Sequence, residues 1–254
     1  MRSSTPNTLA VHGFFGGRDE ALLSLGSLAA GRRVIAPSRF GYLGSSMPAR
    51  ATVADQADAF AALLDDLGIG TLDVIAISSG ATSAFQFALR HPERVKHLAV
   101  ISGNMPEGAA AVAPPRAARL VFRDVPMWVL NVFARPVLLR QIGVPEGFPV
   151  AAGNARIVSD LIDSFFPVAL KTEGVAFDAF VSDPDVNSYP LEALTMPVLT
   201  VHAKDDPYDA AQRAAGRIPG ARLVGIEHGG HLLLGDRVDV GREVTAFLAG
   251  QGAL

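Results

Sequence analysis

The sequence predicts an α/β protein: a mostly parallel sheet flanked by helices, with one helical insertion. Short apolar runs alternate with helical segments from Thr8 to Ile101 and again from Pro197 to Leu248, the pattern of parallel strands joined by right-handed crossovers. Between them the alternation stops. Residues 104–194 hold short apolar helical pieces broken by prolines from Pro114 to Pro190, and a connection of that length with helices of its own is a subdomain rather than a loop. The predicted core is therefore residues 1–103 and 195–254, and the predicted insertion, a helical cap, is 104–194. A chain of 254 residues, 49% apolar and 19% charged, is long enough to bury such a core.

Thr8–His12 is a short apolar strand ending in the glycine-rich turn Gly13-Phe14-Phe15-Gly16-Gly17. A dinucleotide site would need G-x-G-x-x-G opening a helix; the spacing here is wrong, and the turn serves better to expose a backbone N–H at a strand end. Arg33–Ala36 is the next strand. Thr52–Gly68 is a scaffold helix: Val53, Ala57, Phe60, Leu64 and Leu67 fall on one face, Thr52 with Asp55 caps its start, and Gly68 ends it. Val95–Ile101 and Pro197–Ala203 are further strands. A helix over about 209–217, the strand Arg222–Glu227 and a last helix carrying Val240, Val244, Phe247 and Leu248 on one face complete the core.

The strand Leu72–Ile77 runs into Ser78-Ser79-Gly80 and then an Ala/Phe/Leu-rich helix to Arg90. A serine on a strand-to-helix corner is the nucleophile-elbow arrangement, G-x-S-x-G, in which the residues two before and two after the serine must be small. Ala76 and Gly80 meet that demand for Ser78; Ser79 would put β-branched Ile77 in the crowded place. Further candidates follow the later strands: Asp205 and Asp206 after Ala203, and His228 and His231 after Glu227. All lie past the carboxyl ends of parallel strands, where open α/β sheets build their sites. A zinc pair at His228 and His231 lacks a third ligand.

Composition removes other classes. A net charge of −3 gives no footprint for nucleic acid or an anionic membrane, and the absence of cysteine removes disulfides, zinc–thiolate clusters and a cysteine nucleophile. The polar start Met1–Asn7 has no secretory pattern, and the greasy stretch 125–139 is interrupted and too short to span a bilayer. The expectation is a soluble, cytoplasmic protein, monomer or homodimer, with no nucleic-acid or membrane partner and with neither metal nor cofactor.

Five segments in strand order resemble the α/β-hydrolase-fold superfamily, in particular its capped serine esterases and lipases. His12-Gly13-Phe14 resembles the H-G-x oxyanion turn, and Ala36–Tyr42 the A-P-D-x-x-G-x loop with Ser38 in place of aspartate. Phe87–Val95 matches the turn after the elbow helix, Ala203–Asp206 resembles G-x-x-D, and Gly230-His231 the terminal G-H. The resemblance implies an α/β-hydrolase fold with Ser78 as nucleophile, His231 as base and Asp206, chosen over Asp205 by the family spacing, as the acid that orients it. It also implies backbone N–H groups of Phe14 and Ser79 as the oxyanion hole. In a departure from the family pattern, only seven residues precede the first strand, so the N-terminal edge strands are expected to be reduced or absent. The implied activity is hydrolysis of a small-molecule carboxylic ester through an acyl-enzyme; C–C bond hydrolysis and a weakly catalytic receptor are the alternatives. Apolar residues of the turn and the insertion, Phe15, Trp128, Phe133 and Phe166, are the expected substrate contacts for an apolar or aromatic group.

Overall fold

The computed structural model describes residues 5–235 and 237–251. Six strands form one sheet: β1 (Asn7–Val11), β2 (Arg33–Ile35), β3 (Leu72–Ile77), β4 (Val95–Ile101), β5 (Val198–Ala203) and β6 (Arg222–Ile226). Their order is β2-β1-β3-β4-β5-β6, and every pairing is parallel. No antiparallel edge strand is present among the described residues. The chain leaves β1 in one direction to make β2 and returns past β1 to make β3, so the switch point of the sheet lies between β1 and β3, the place where open α/β sheets build their sites.

Strand residues alternate between two cores, as the period of two demands. Leu9, Val11, Val74, Ala76, Leu98 and Val100 pack toward α2 (Val53–Asp66) and α3 (Gly80–Arg90). Ala10, Ile75, Ala99, Leu199 and Val201 face α1 (Arg18–Leu25) and the C-terminal helix Arg237–Leu248. The insertion between β4 and β5 carries α4 (Asp124–Phe133), α5 (Arg135–Gln141), α6 (Ala152–Ser164), α7 (Thr172–Phe177) and α8 (Asp183–Asp185); α9 (Ala211–Ala215) and α10 (Arg237–Leu248) follow in the core.

Local chemistry sets the element ends. Thr52 Oγ1 accepts the Asp55 N–H at 3.1 Å while Asp55 Oδ2 accepts the Thr52 N–H at 2.8 Å, a reciprocal cap at the start of α2. At its other end Ile69 N–H reaches Leu64 O (2.8 Å) and Gly68 N–H reaches Asp65 O (3.0 Å), so the helix closes before Leu67. Leu67, expected on the buried face, is therefore exposed. α9 is shorter than the sequence suggests because Asp209 is held outside it, accepting the Ala211 N–H at 2.7 Å and pairing with His202 Nδ1 at 2.9 Å.

Candidate active site

Ser78 sits on the corner between β3 and α3 with φ +51°. Its N–H continues the sheet to Ile101 O at 3.0 Å, and its carbonyl accepts from Ala81 and Asn104, each at 3.0 Å. A serine costs energy in this left-handed region, and these bonds hold it there. Two residues on, a Cβ at Gly80 would stand 2.5 Å from His12 O and 2.6 Å from Val11 O, so the end of β1 leaves room for glycine alone. Ala76, two residues before, is fully buried in the core.

Of the polar side chains placed past strand ends, Ser78, Asp206 and His231 converge. His231 Nε2 lies 2.8 Å from Ser78 Oγ, and His231 Nδ1 lies 2.8 Å from Asp206 Oδ2. Both contacts are satisfied when Nδ1–H donates to the carboxylate and Nε2 accepts from the hydroxyl. The Asp206 side chain is 2% exposed, and its second oxygen accepts the Tyr208 N–H at 2.9 Å. The Tyr208 ring meets the imidazole edge-on at 5.4 Å. Asp205 holds backbone instead of imidazole. Its two oxygens accept the N–H groups of Gly229 (3.1 Å) and Gly230 (2.8 Å), pinning the loop that presents His231. His228 is exposed and points to Asp205 instead of the serine. From the insertion, Gly143 O accepts the His231 N–H at 2.9 Å.

The turn after β1 is fixed at nearly every polar atom. Glu20 Oε2 accepts the Gly13 N–H at 2.9 Å; Gly13 O accepts from Gly16 N–H (3.2 Å), from the His12 ring (2.9 Å) and from the Arg39 guanidinium (3.3 Å). The ammonium of Lys171, fully buried, donates to Phe15 O at 3.1 Å and to Ser164 O. Phe15 itself has φ +58°. Among the described residues the N–H groups of Phe14 and Ser79 have no protein acceptor. A Cβ at Gly13 would stand 3.2 Å from that of Ser78, so this turn abuts the serine.

Behind the site lies a buried polar cluster that no sequence motif announced. Arg39 makes a two-pronged ion pair with Asp178 (2.5 and 2.6 Å), and Tyr42 OH donates to the same carboxylate at 2.5 Å. Ser79 Oγ donates to Asp183 Oδ1 at 2.6 Å, and Thr82 meets Ser182 at 2.5 Å. A π-helical turn over Asp178–Ser182 is the piece that carries these insertion side chains to the core. Burial, reinforced by the charge of Asp178, pushes the Asp183 carboxyl well above the usual carboxylate range. Burial likewise raises Glu20, against the pull of Ser24 and the Gly13 N–H.

His12 is buried beneath the turn, its Nε2 accepting the Arg39 N–H at 2.9 Å. Burial, with the nearby charge of Arg39, holds it well below the ordinary imidazole value. The unfolded chain therefore binds a proton here that the folded chain does not, and stability conferred by neutral His12 is full above about pH 6.5 and lost as pH falls below it. Urea unfolding across the acid range is expected to show an extra slope of up to about 1.4 kcal/mol per pH unit from this group. A His12→Gln variant should lack it.

Of the expected substrate contacts, Phe15 is buried against Phe122 (5.5 Å) and Phe165 (5.6 Å) beside the turn. Trp128 and Phe133 are placed otherwise. They are 51% and 75% exposed, in contact with each other at 5.8 Å on the outer side of α4, and Phe166 lines an open groove with Trp128. Apart from Asp124 and Asn131, helix α4 is apolar around its circumference, so its composition does not reveal which residues turn inward; Met127 does.

Residues 9–238 match a family model described as alpha/beta hydrolase fold. The RutD protein of Caulobacter vibrioides, provisionally named a carbamate hydrolase, is 27% identical over 219 residues, spanning 80% of this chain and 75% of its own. A 2-hydroxymuconate semialdehyde hydrolase of Pseudomonas putida is 29% identical over 239 residues, spanning 88% and 79%. Among solved structures, an α/β-hydrolase-fold protein from Nakamurella multipartita superposes with a TM-score of 0.74 and 26% identity, over 97% of this chain and 93% of its own.

Proposed function

The chain belongs to the α/β-hydrolase-fold family, and on that premise we propose that it is a serine hydrolase cleaving carboxylic esters of small to medium apolar or aromatic substrates. One observation supports this above all: the imidazole of His231 is within hydrogen-bond reach of a hydroxyl on one nitrogen and a carboxylate on the other, at 2.8 Å each. A serine hydroxyl is a weak nucleophile until a base takes its proton during attack. In the proposed reaction Ser78 Oγ bonds to the ester carbonyl carbon while its proton passes to His231 Nε2. Asp206 stabilises the imidazolium that forms. The oxygen of the tetrahedral intermediate is received by the N–H groups of Phe14 and Ser79, each contributing roughly 3 kcal/mol to the lowering of the barrier. The alkoxide leaves with the proton from His231, and water, activated by the same imidazole, releases the acid and restores the serine.

The test is labelling by a fluorophosphonate, with the adduct mapped by mass spectrometry, alongside turnover of a series of p-nitrophenyl esters. Phosphonylation of Ser78 together with ester turnover is the expected outcome; an unlabelled Ser78 overturns the proposal. Cleavage of a carbon–carbon bond is the second reading, favoured by the similarity to the semialdehyde hydrolase. A vinylogous diketone acid run beside the esters ranks the two by kcat/KM.

A further inference from the structure

The outer side of α4 carries an apolar stripe that the described residues leave uncovered. Val125, Trp128, Val129 and Val132 stand at helical positions i, i+3, i+4 and i+7, and each is between 41% and 71% exposed. Phe133 extends the stripe, and an open groove of about 240 Å³ lies between Asp124, Val125, Trp128 and Phe166. Single exposed apolar residues are ordinary, whereas a contiguous stripe with large aromatics marks an interaction surface.

Along the chain around the stripe, positive charge predominates. Residues 112–140 contain five arginines, Arg116, Arg119, Arg123, Arg135 and Arg140, and one acid, Asp124, a local positive excess that the net charge of −3, from which no anionic-membrane partner is expected, averages away. That acid is occupied: its carboxylate accepts the N–H groups of Val168 at 2.6 Å and Ala169 at 3.2 Å. Arg116, Arg119 and Arg123 lead directly into α4, Arg119 lying over the Phe180 ring at 4.6 Å, and Arg135 lies on α5, which packs against it; Arg140, also on α5, pairs with Glu146 at 3.8 Å.

We infer that this side of α4 is a docking surface for an anionic lipid interface. A second copy of the chain would fit the apolar stripe, but a two-fold contact sets the same arginine-rich rim against itself. A lipid surface of negative charge satisfies both halves at once: the valines and Phe133 enter the acyl boundary, Trp128 lies at headgroup level, and the guanidinium groups bond phosphate oxygens. No helix among the described residues is long and apolar enough to cross a membrane, so α4 lies in the interface. The inference is independent of the ester-hydrolase reading.

Trp128 is the single tryptophan of the chain, so its fluorescence reports the contact directly. Added to the whole protein, vesicles of phosphatidylcholine mixed with phosphatidylglycerol are expected to shift its emission to the blue, quench it when the lipids are brominated, and carry the protein into the pellet. Salt should weaken the binding. An Arg116→Gln/Arg119→Gln variant should bind these vesicles more than about tenfold more weakly, from a loss of roughly fivefold per arginine. Val129→Asp should abolish the blue shift while circular dichroism and turnover of a soluble ester stay unchanged. No shift and no sedimentation overturns the inference, as does equal binding to pure phosphatidylcholine. Concentration-dependent dimerisation that Val129→Asp removes, without vesicle binding, overturns it in favour of the second copy.

Discussion

Replacing Ser78 by alanine is expected to lower ester turnover roughly 10⁴- to 10⁶-fold, leaving only what positioning and the backbone donors provide. The fold should survive, because the corner is held by backbone bonds to Ile101, Ala81 and Asn104 and not by the hydroxyl. Ser79→Ala separates the two neighbouring serines: its Oγ faces Asp183 and not His231, so its loss should leave most of the rate and lower stability. Equal losses in both variants would remove Ser78 from the role of nucleophile. Steady-state kinetics with thermal melts of both proteins decides it.

Asp178→Ala is expected to give the largest loss of stability of any single substitution at the polar cluster, about 3–5 kcal/mol. The change leaves the Arg39 guanidinium buried without a counter-charge and removes the acceptor of Tyr42 OH. A pair replacement, Arg39→Met with Asp178→Leu, should recover much of that loss, since two buried charges vanish together. Denaturant unfolding of the three proteins measures it. Because Arg39 also donates to Gly13 O, the single variant should lose ester turnover even where it remains folded.

What could be read from the chain, and what could not, follows the range of each interaction. The strands announce themselves by short apolar runs, α2 by its periodic face and its Thr52–Asp55 cap, and the corner at Ser78 by small neighbours two residues either side. These signals sit within a few residues of what they specify. The Arg39–Asp178 pair joins positions 139 residues apart, and no local spacing encodes it. A trace existed: Asp178 interrupts the apolar run Val175–Val181, and a lone carboxylate in such a run calls for a buried partner. Lys171 and Glu20, which fasten the turn after β1, carry no comparable mark. The aromatic residues of the insertion illustrate a different limit. In α4, where both sides are apolar, the direction of each residue is set by what the helix packs against, so Met127 turns in and Trp128 out.

Gly143 ties the insertion to the chemistry more tightly than its distance along the chain suggests. It has φ +79°, its carbonyl holds the backbone of His231, and a Cβ there would lie 2.3 Å from that of the histidine. The region that would choose the substrate is thus no interchangeable module. A donor segment grafted from a relative to alter selectivity must bring a glycine at the same point, or the imidazole moves and the chimera recognises a molecule it cannot cleave.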